Sequence, residues 1–280
     1  MTAFFKVSGS GNDFLALAEP ASTPPPERIR AWCRRGISLG ADGLFVLRRL
    51  EGAEGEVAMD YFNSDGHPAA LCLNGTRCAA QLAFHLDWAP QKHTELRVVT
   101  GAGRFTARFL DETRVSVEVP VPEAPREIAP EVDGITHAGM FLRVGVPHLV
   151  LVWPENLETA PVVTLGAALR RHPMLGAEGA NVNFVRFPGE DRMEIRTYER
   201  GVEDETLSCG TGVLAGAAAG LALAKVKLPL RVATRSGFEL GVEGGETGPR
   251  GDSWFLTGDA RIVAQGELLP GADAREEERI

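Results

Sequence analysis

No block of basic residues appears anywhere in this sequence. Lys and Arg number 29 against 38 Asp and Glu, a net charge of −9, and that balance argues against nucleic acid and anionic membrane as partners. Cysteine is scarce as well. The four at positions 33, 72, 78 and 209 are too few and too unevenly spaced for a secreted disulfide scaffold, and no C-x-x-C pair offers a zinc knuckle. No metal site is expected. The longest run of small apolar residues, LAGAAAGLALA (214–224), falls short of the ~18 residues a membrane span needs. The opening MTAFFKVSGSGNDF lacks the charged and apolar regions of a signal peptide, so the expectation is a cytoplasmic protein with reduced thiols. A dinucleotide-binding fold is disfavoured too, because GSGNDF precedes a strand pattern rather than opening a helix.

What is present is an ordinary globular composition, 44% hydrophobic and 24% charged, with 32 glycines in 280 residues. The glycine content exceeds the usual ~7% and points to tight turns or to backbone closing on a ligand. At roughly 100–200 residues per domain the length suits one large domain or two. ASTPPPE (21–27) opens a short helix in which Ile29, Trp32 and Cys33 fall at helical spacing before Gly36. PVPEAPREIAPEV (120–132) carries four prolines without periodicity and reads as the domain boundary. Alternating or apolar runs predict strands at 4–7, 14–18, 44–47, 59–63, 95–100, 103–110 and 114–119, then at 140–144, 148–153, 182–187, 193–199, 230–234 and 254–258. Helices are predicted at 76–86 and again after Cys209. The tail ADAREEERI reads as a solvated end.

The two halves share an order of landmarks. Tyr61, Cys72 and Gly75 map onto Tyr198, Cys209 and Gly212 at one offset of 137, which also carries Phe5-Lys6-Val7 onto Leu142-Arg143-Val144. At an offset of 134, Gly11 meets Gly145 and ELRVVTGAG meets PLRVATRSG. This is the pattern of a duplicated domain. Two copies facing each other across a cleft would set equivalent residues on opposite sides of one ligand.

The equivalent residues that carry chemistry are Cys72 and Cys209. Each precedes an N-G or T-G pair and then a helix, which sets a sulfur and several backbone N–H groups at a positive helix end. Such a place favours thiolate and binds carboxylate. Cys33, on an apolar helix stripe, and Cys78, whose counterpart is Ala215, read as core. Inverting an α-carbon needs a base on one face and an acid on the other, with the carboxylate stabilised as the carbanion forms. A thiolate and a thiol supply both. The alternative of a different class is a thiol–disulfide switch, open to any two cysteines that approach closely.

GSGNDF (9–14), FNSDG (62–66), CLNGTRC (72–78), G-x-P-H (145–148), NVNF (181–184) and YERGVEDETLSCGTG (198–212) together resemble diaminopimelate epimerases, in order over nearly the whole chain. The resemblance implies an α/β (α+β) fold of two pseudo-symmetric domains. Each is a curved, barrel-like, mostly antiparallel sheet around a central helix, with the active site in the cleft between them. The domains would be 1–119 plus about 260–280, and 120–259. It also implies cofactor-independent interconversion of LL- and meso-2,6-diaminopimelate, with Cys72 and Cys209 as the acid/base pair, no cofactor, and a homodimer. Asn12, Asn63, Asn181, Glu199 and Arg200 would bind the substrate's amino and carboxylate groups. Main-chain N–H groups around Leu73, Asn74 and Gly75, and around Gly210 and Thr211, would hold the reacting carboxylate. His148 and Glu199 would bias thiol protonation.

Three positions depart from the family pattern. Leu73 stands where glycine usually follows the first cysteine, and the V-E-D-E-T loop is one residue longer than the V-G-E-T form. Val146 replaces an asparagine in G-x-P-H, and it cannot hydrogen-bond the distal end of a substrate. A racemase of another amino acid, histidine-racemase-like, is therefore the alternative on the same fold.

Overall fold

FLALA and LFVL lack polar alternation because both of their faces are covered. The strand Asn12–Ala18 runs parallel to Gly43–Arg49, and residues 14–17 and 43–47 are buried in succession, as in parallel pairs sandwiched between helices. On one side lies α1 (Pro26–Cys33), the crossover between the two strands. It sets Ile29, Trp32 and Cys33 against Leu15, Leu17, Leu44 and Val46. On the other side lies α2 (Leu73–His85), buried without a break from Leu73 to Ala83. A helix buried all round belongs at a centre, and α2 packs against Thr2–Gly9, Asn12–Ala18, Gly43–Arg49, Glu56–Asn63, Glu95–Thr100, Gly103–Asp111 and Arg261–Leu268.

The computed structural model describes residues 2–89, 95–245 and 253–273; residues 274–280 of the charged tail lie outside the described residues. The chain divides into two compact units, Met1–Glu118 with Gly258–Ile280, and Val119–Thr257. In the first, Thr2–Gly9 pairs antiparallel with both Asn12–Ala18 and Arg261–Leu268. Gly43–Arg49 pairs antiparallel with Glu56–Asn63, which runs parallel to Glu95–Thr100, and Gly103–Asp111 and Arg114–Pro120 follow as antiparallel neighbours.

The second unit repeats this order of pairing. Gly139–Val144 pairs antiparallel with Arg126–Ile128 and with Val146–Val152, which runs parallel to Asn181–Gly189. Arg192–Glu199 follows antiparallel, then Leu230–Thr234 parallel, then Glu239–Gly244 and Ser253–Asp259 antiparallel. The crossover helix is α3 (Val162–Arg170), whose Val162 and Leu169 join Leu149, Leu151, Val182 and Phe184 in one apolar cluster. The central helix is α4 (Gly210–Ala222), buried along Gly212–Gly220 and packed against five of the unit's strands. Each unit is thus a mixed α+β layer of mainly antiparallel strands around one central helix, and the duplication read from the sequence is visible as matched topology.

The structure adds elements that the pattern leaves out. The 120–132 segment carries a paired strand at Arg126–Ile128, and Glu239–Gly244, Arg261–Leu268 and α3 occupy stretches with no predicted element. The N-G and T-G pairs are the first turns of α2 and α4 rather than turns before them. At a helix start the N–H groups lack intrahelical acceptors in any case, so residues of poor helix propensity are tolerated there. Among the described residues, no helix is long and apolar enough to cross a membrane.

Candidate active site

Cys72 and Cys209 occupy the same place in the two units: each is the residue that caps the central helix. Their backbones are extended and alike, φ −138°, ψ 107° and φ −127°, ψ 109°. The Cys72 sulfur accepts the Gly75 N–H at 3.4 Å, and the Cys209 sulfur lies 3.4 Å from the Thr211 hydroxyl. Neither helix has an acidic residue in its first turn, so the positive end is not neutralised from within. Leu73, Asn74 and Gly75 form the first turn of α2; Gly210, Thr211 and Gly212 form that of α4. Leu73 is 4% exposed, so its side chain turns into the core and leaves the backbone N–H position intact.

Around α2 the first unit builds a polar chain that runs from partly buried Asp42 to fully buried Arg77. Ser10 (φ 53°) and Gly11 (φ 99°) turn the backbone into Asn12. The Asn12 amide donates to Asp42 at 3.0 Å and accepts from Asn74 at 2.6 Å. Arg77 donates to Asn74 (2.7 Å) and to the Ser10 hydroxyl (2.8 Å), and Ser10 in turn donates to Asp259 through its N–H (2.6 Å) and hydroxyl (2.9 Å). Arg77 has no solvent exposure, and burial holds its guanidinium below the ordinary arginine range. No motif in the sequence marks Asp42 or Asp259, and the signal for Arg77 is an arginine amid the small and apolar residues of a central helix. Asn63 ends Glu56–Asn63 in a turn, its N–H donating to the His67 carbonyl and its carbonyl accepting from Gly66, both at 2.9 Å.

In the second unit Asn181, 4% exposed, accepts the Arg200 backbone N–H at 2.7 Å. Arg200 pairs with Glu178 at 3.2 Å, and Arg143 reaches the same carboxylate at 3.1 Å. Glu199 ends Arg192–Glu199 and is half-buried. His148 sits opposite Asn181 in the parallel register and has no exposure. Burial, and secondarily Arg200, hold its pKa down to about 3. This differs from the usual titrating histidine. Val146 opens its strand at the position that Asn12 holds in the first unit.

The sign of the His148 shift yields a prediction. The unfolded chain takes up a proton near the ordinary value of 6.5 while the folded ring does so only near 3, so stability is complete above 6.5 and is lost as pH falls toward 3. His148→Phe, which copies Phe14 of the first unit, is expected to flatten that acid-side decline in urea midpoints measured between pH 6.5 and 4. An unchanged slope would contradict the assignment.

Burial pushes the Cys33 thiol up to about 12 and the Cys78 thiol higher still. Both lie in the core at 3% and 1% exposure.

The repeated unit, a mainly antiparallel sheet around a central helix, defines a class of duplicated α+β folds, and solved structures share it. A phenazine biosynthesis protein of the PhzF family from Bacillus anthracis superposes with a TM-score of 0.73 at 15% identity, covering 96% of this chain and 99% of that one. A probable proline racemase from Agrobacterium radiobacter K84 gives 0.71 at 16% identity, covering 98% and 96%. The family model for diaminopimelate epimerase matches residues 4–123 and 140–263. Diaminopimelate epimerases of Aquifex aeolicus and Archaeoglobus fulgidus are 37% and 36% identical, each over 95% of this chain and 97% and 96% of theirs. The chain belongs to the diaminopimelate epimerase family, an isomerase family.

Proposed function

We propose that the protein interconverts LL- and meso-2,6-diaminopimelate without a cofactor, in the supply of lysine and peptidoglycan precursors, by a two-base reaction of Cys72 and Cys209. The observation that carries this reading is the matched placement of the two sulfurs, each capping the central helix of one copy of a duplicated unit in a chain of this family. One thiolate takes the α-proton and the other thiol delivers a proton to the opposite face, so the roles exchange with direction. This requires the two units to bring both sulfurs to one α-carbon. N–H groups of the first turns of α2 and α4 receive the α-carboxylate, whose charge grows as the proton leaves. Asn12, Asn63 and Asn181 bind amino and carboxylate groups, Glu199 accepts an ammonium, and Arg200 meets the distal carboxylate with its planar fork. The protein works in the cytoplasm as a homodimer.

A mono-amino-acid racemase is the second reading, favoured by Val146. Turnover decides between them. Under reducing conditions LL-diaminopimelate is expected to convert to an equilibrium with the meso form faster than any single-headed amino acid is racemised; a higher kcat/KM for such an amino acid would overturn the substrate assignment.

A further inference from the structure

The second unit buries a polar pair where the first buries an aromatic one. Phe14 and Phe45 pack in the first unit with ring centroids 6.2 Å apart. At the matching register positions of the second unit stand His148 and Asn183. Replacing an aromatic pair by an imidazole and a carboxamide is costly in a dry interior unless each polar atom is bonded.

Asn183 meets that condition completely. Its Nδ2 donates to the Leu149 carbonyl and to His148 Nδ1, both at 3.1 Å, and its Oδ1 accepts from the Thr197 hydroxyl at 3.0 Å. A carbonyl oxygen only accepts, so the NH2 end of the amide must face Leu149, and the same end meets the ring. His148 Nδ1 is therefore an acceptor and the ring proton resides on Nε2. An imidazolium, with protons on both nitrogens, is incompatible with this bond. His148 Nε2 is buried and has no hydrogen-bond partner among the described residues. The amide also underlies the start of α4: a Cβ on Gly212 would lie 2.4 Å from Asn183 Oδ1 and 3.3 Å from the Thr197 hydroxyl oxygen. One carboxamide thus ties the His148 ring to the turn that follows Cys209.

We infer that Asn183 is a positioning residue that locks His148 as the neutral Nε2–H tautomer, so that the ring serves the Cys209 half of the site as a fixed hydrogen-bond donor to a ligand carboxylate and not as a base. Among the described residues, the charged group felt by the ring is Arg200, which follows Arg192–Glu199 and pairs with Glu178; Arg143 reaches that carboxylate from Gly139–Val144. The ligand's identity rests on the epimerase reading. The tautomer does not.

Nitrogen-15 NMR of histidine-labelled full-length protein, with the His148 signals assigned through His148→Gln, reads the tautomer directly. The expected result is a protonated Nε2 and an unprotonated Nδ1 that do not titrate between pH 8 and 5, with LL-diaminopimelate shifting Nε2 and leaving Nδ1 nearly unmoved. A proton on Nδ1, or titration near 6.5, overturns the proposal; an Nε2 signal indifferent to a ligand that binds overturns the donor role. Asn183→Leu is expected to lower kcat/KM roughly tenfold, the effect of one lost bond, and to mix the tautomers. Asn183→Asp, which puts an acceptor against Nδ1, is expected to add a new ionisation to the pH profile. A protein with the expected tautomer but no diaminopimelate turnover would refute only the epimerase reading.

Discussion

Cys72→Ala and Cys209→Ala are each expected to lose epimerisation by about 10²–10⁴-fold or more, the contribution of a positioned acid or base, while remaining folded. The reaction needs a proton acceptor on one face and a donor on the other, so either deletion stops inversion in both directions. For Cys72, half-buried at a helix cap, the loss is not expected to follow from cavity formation; Cys209 caps its helix too but is buried, so its variant is read against its own melting curve. Cys33→Ala is the matched control. Its thiol is held up to about 12 by burial and stays neutral at working pH, so activity should persist with only a loss of stability. Circular dichroism and melting curves alongside steady-state rates separate the two effects.

Gly66→Ala carries the largest expected effect on stability. Gly66 has φ +86°, and a Cβ there would lie 2.2 Å from the Pro26 carbonyl oxygen and 2.8 Å from Pro26 C and Cα. All three are backbone atoms at the start of α1, so no side-chain rotation relieves the clash. Backbone strain of about 1–3 kcal/mol and overpacking of about 1–3 kcal/mol sum to about 2–6 kcal/mol. At roughly 2–4 °C per kcal/mol the melting temperature should fall by more than about 4 °C. Gly52, with φ +72° and nothing within 4 Å of a Cβ, isolates the conformational part, and Gly52→Ala should cost about 1 kcal/mol. Equal melting temperatures for the two variants would show that the Pro26 contact yields.

The parts of this fold legible in the sequence are those where one residue pattern has one structural reading. Continuous apolar runs became strands, FLALA and the HLVL of HLVLVW with successive residues buried, and the 137-residue offset became two units with the same order of pairing. Other parts depend on partners distant in the chain. Arg261–Leu268 is largely exposed along its middle and is a strand because Thr2–Gly9 pairs with it. The β-branched start of VVTLGAALR hides α3, which forms because Val162 and Leu169 bury against a parallel strand pair. The thiols at the helix caps were legible from the repeat and from the glycines that follow them. Asn183 and Arg77 were not. Each is a polar residue in an apolar stretch, and its meaning lies in burial and in partners such as His148 and Ser10 that only the folded chain brings near.

Solvent isotope incorporation tests the two-thiol account most directly. LL-diaminopimelate is incubated with the reduced enzyme in deuterium oxide, and early time points are analysed for label in the remaining substrate and in the product. The account predicts that deuterium appears in the meso product, at the inverted α-carbon, before it appears in the LL substrate, because the thiol that delivers the hydron is equilibrated with solvent and differs from the one that removes the proton. Label entering substrate and product equally from the start, or inversion retained by either single-cysteine variant, would contradict it.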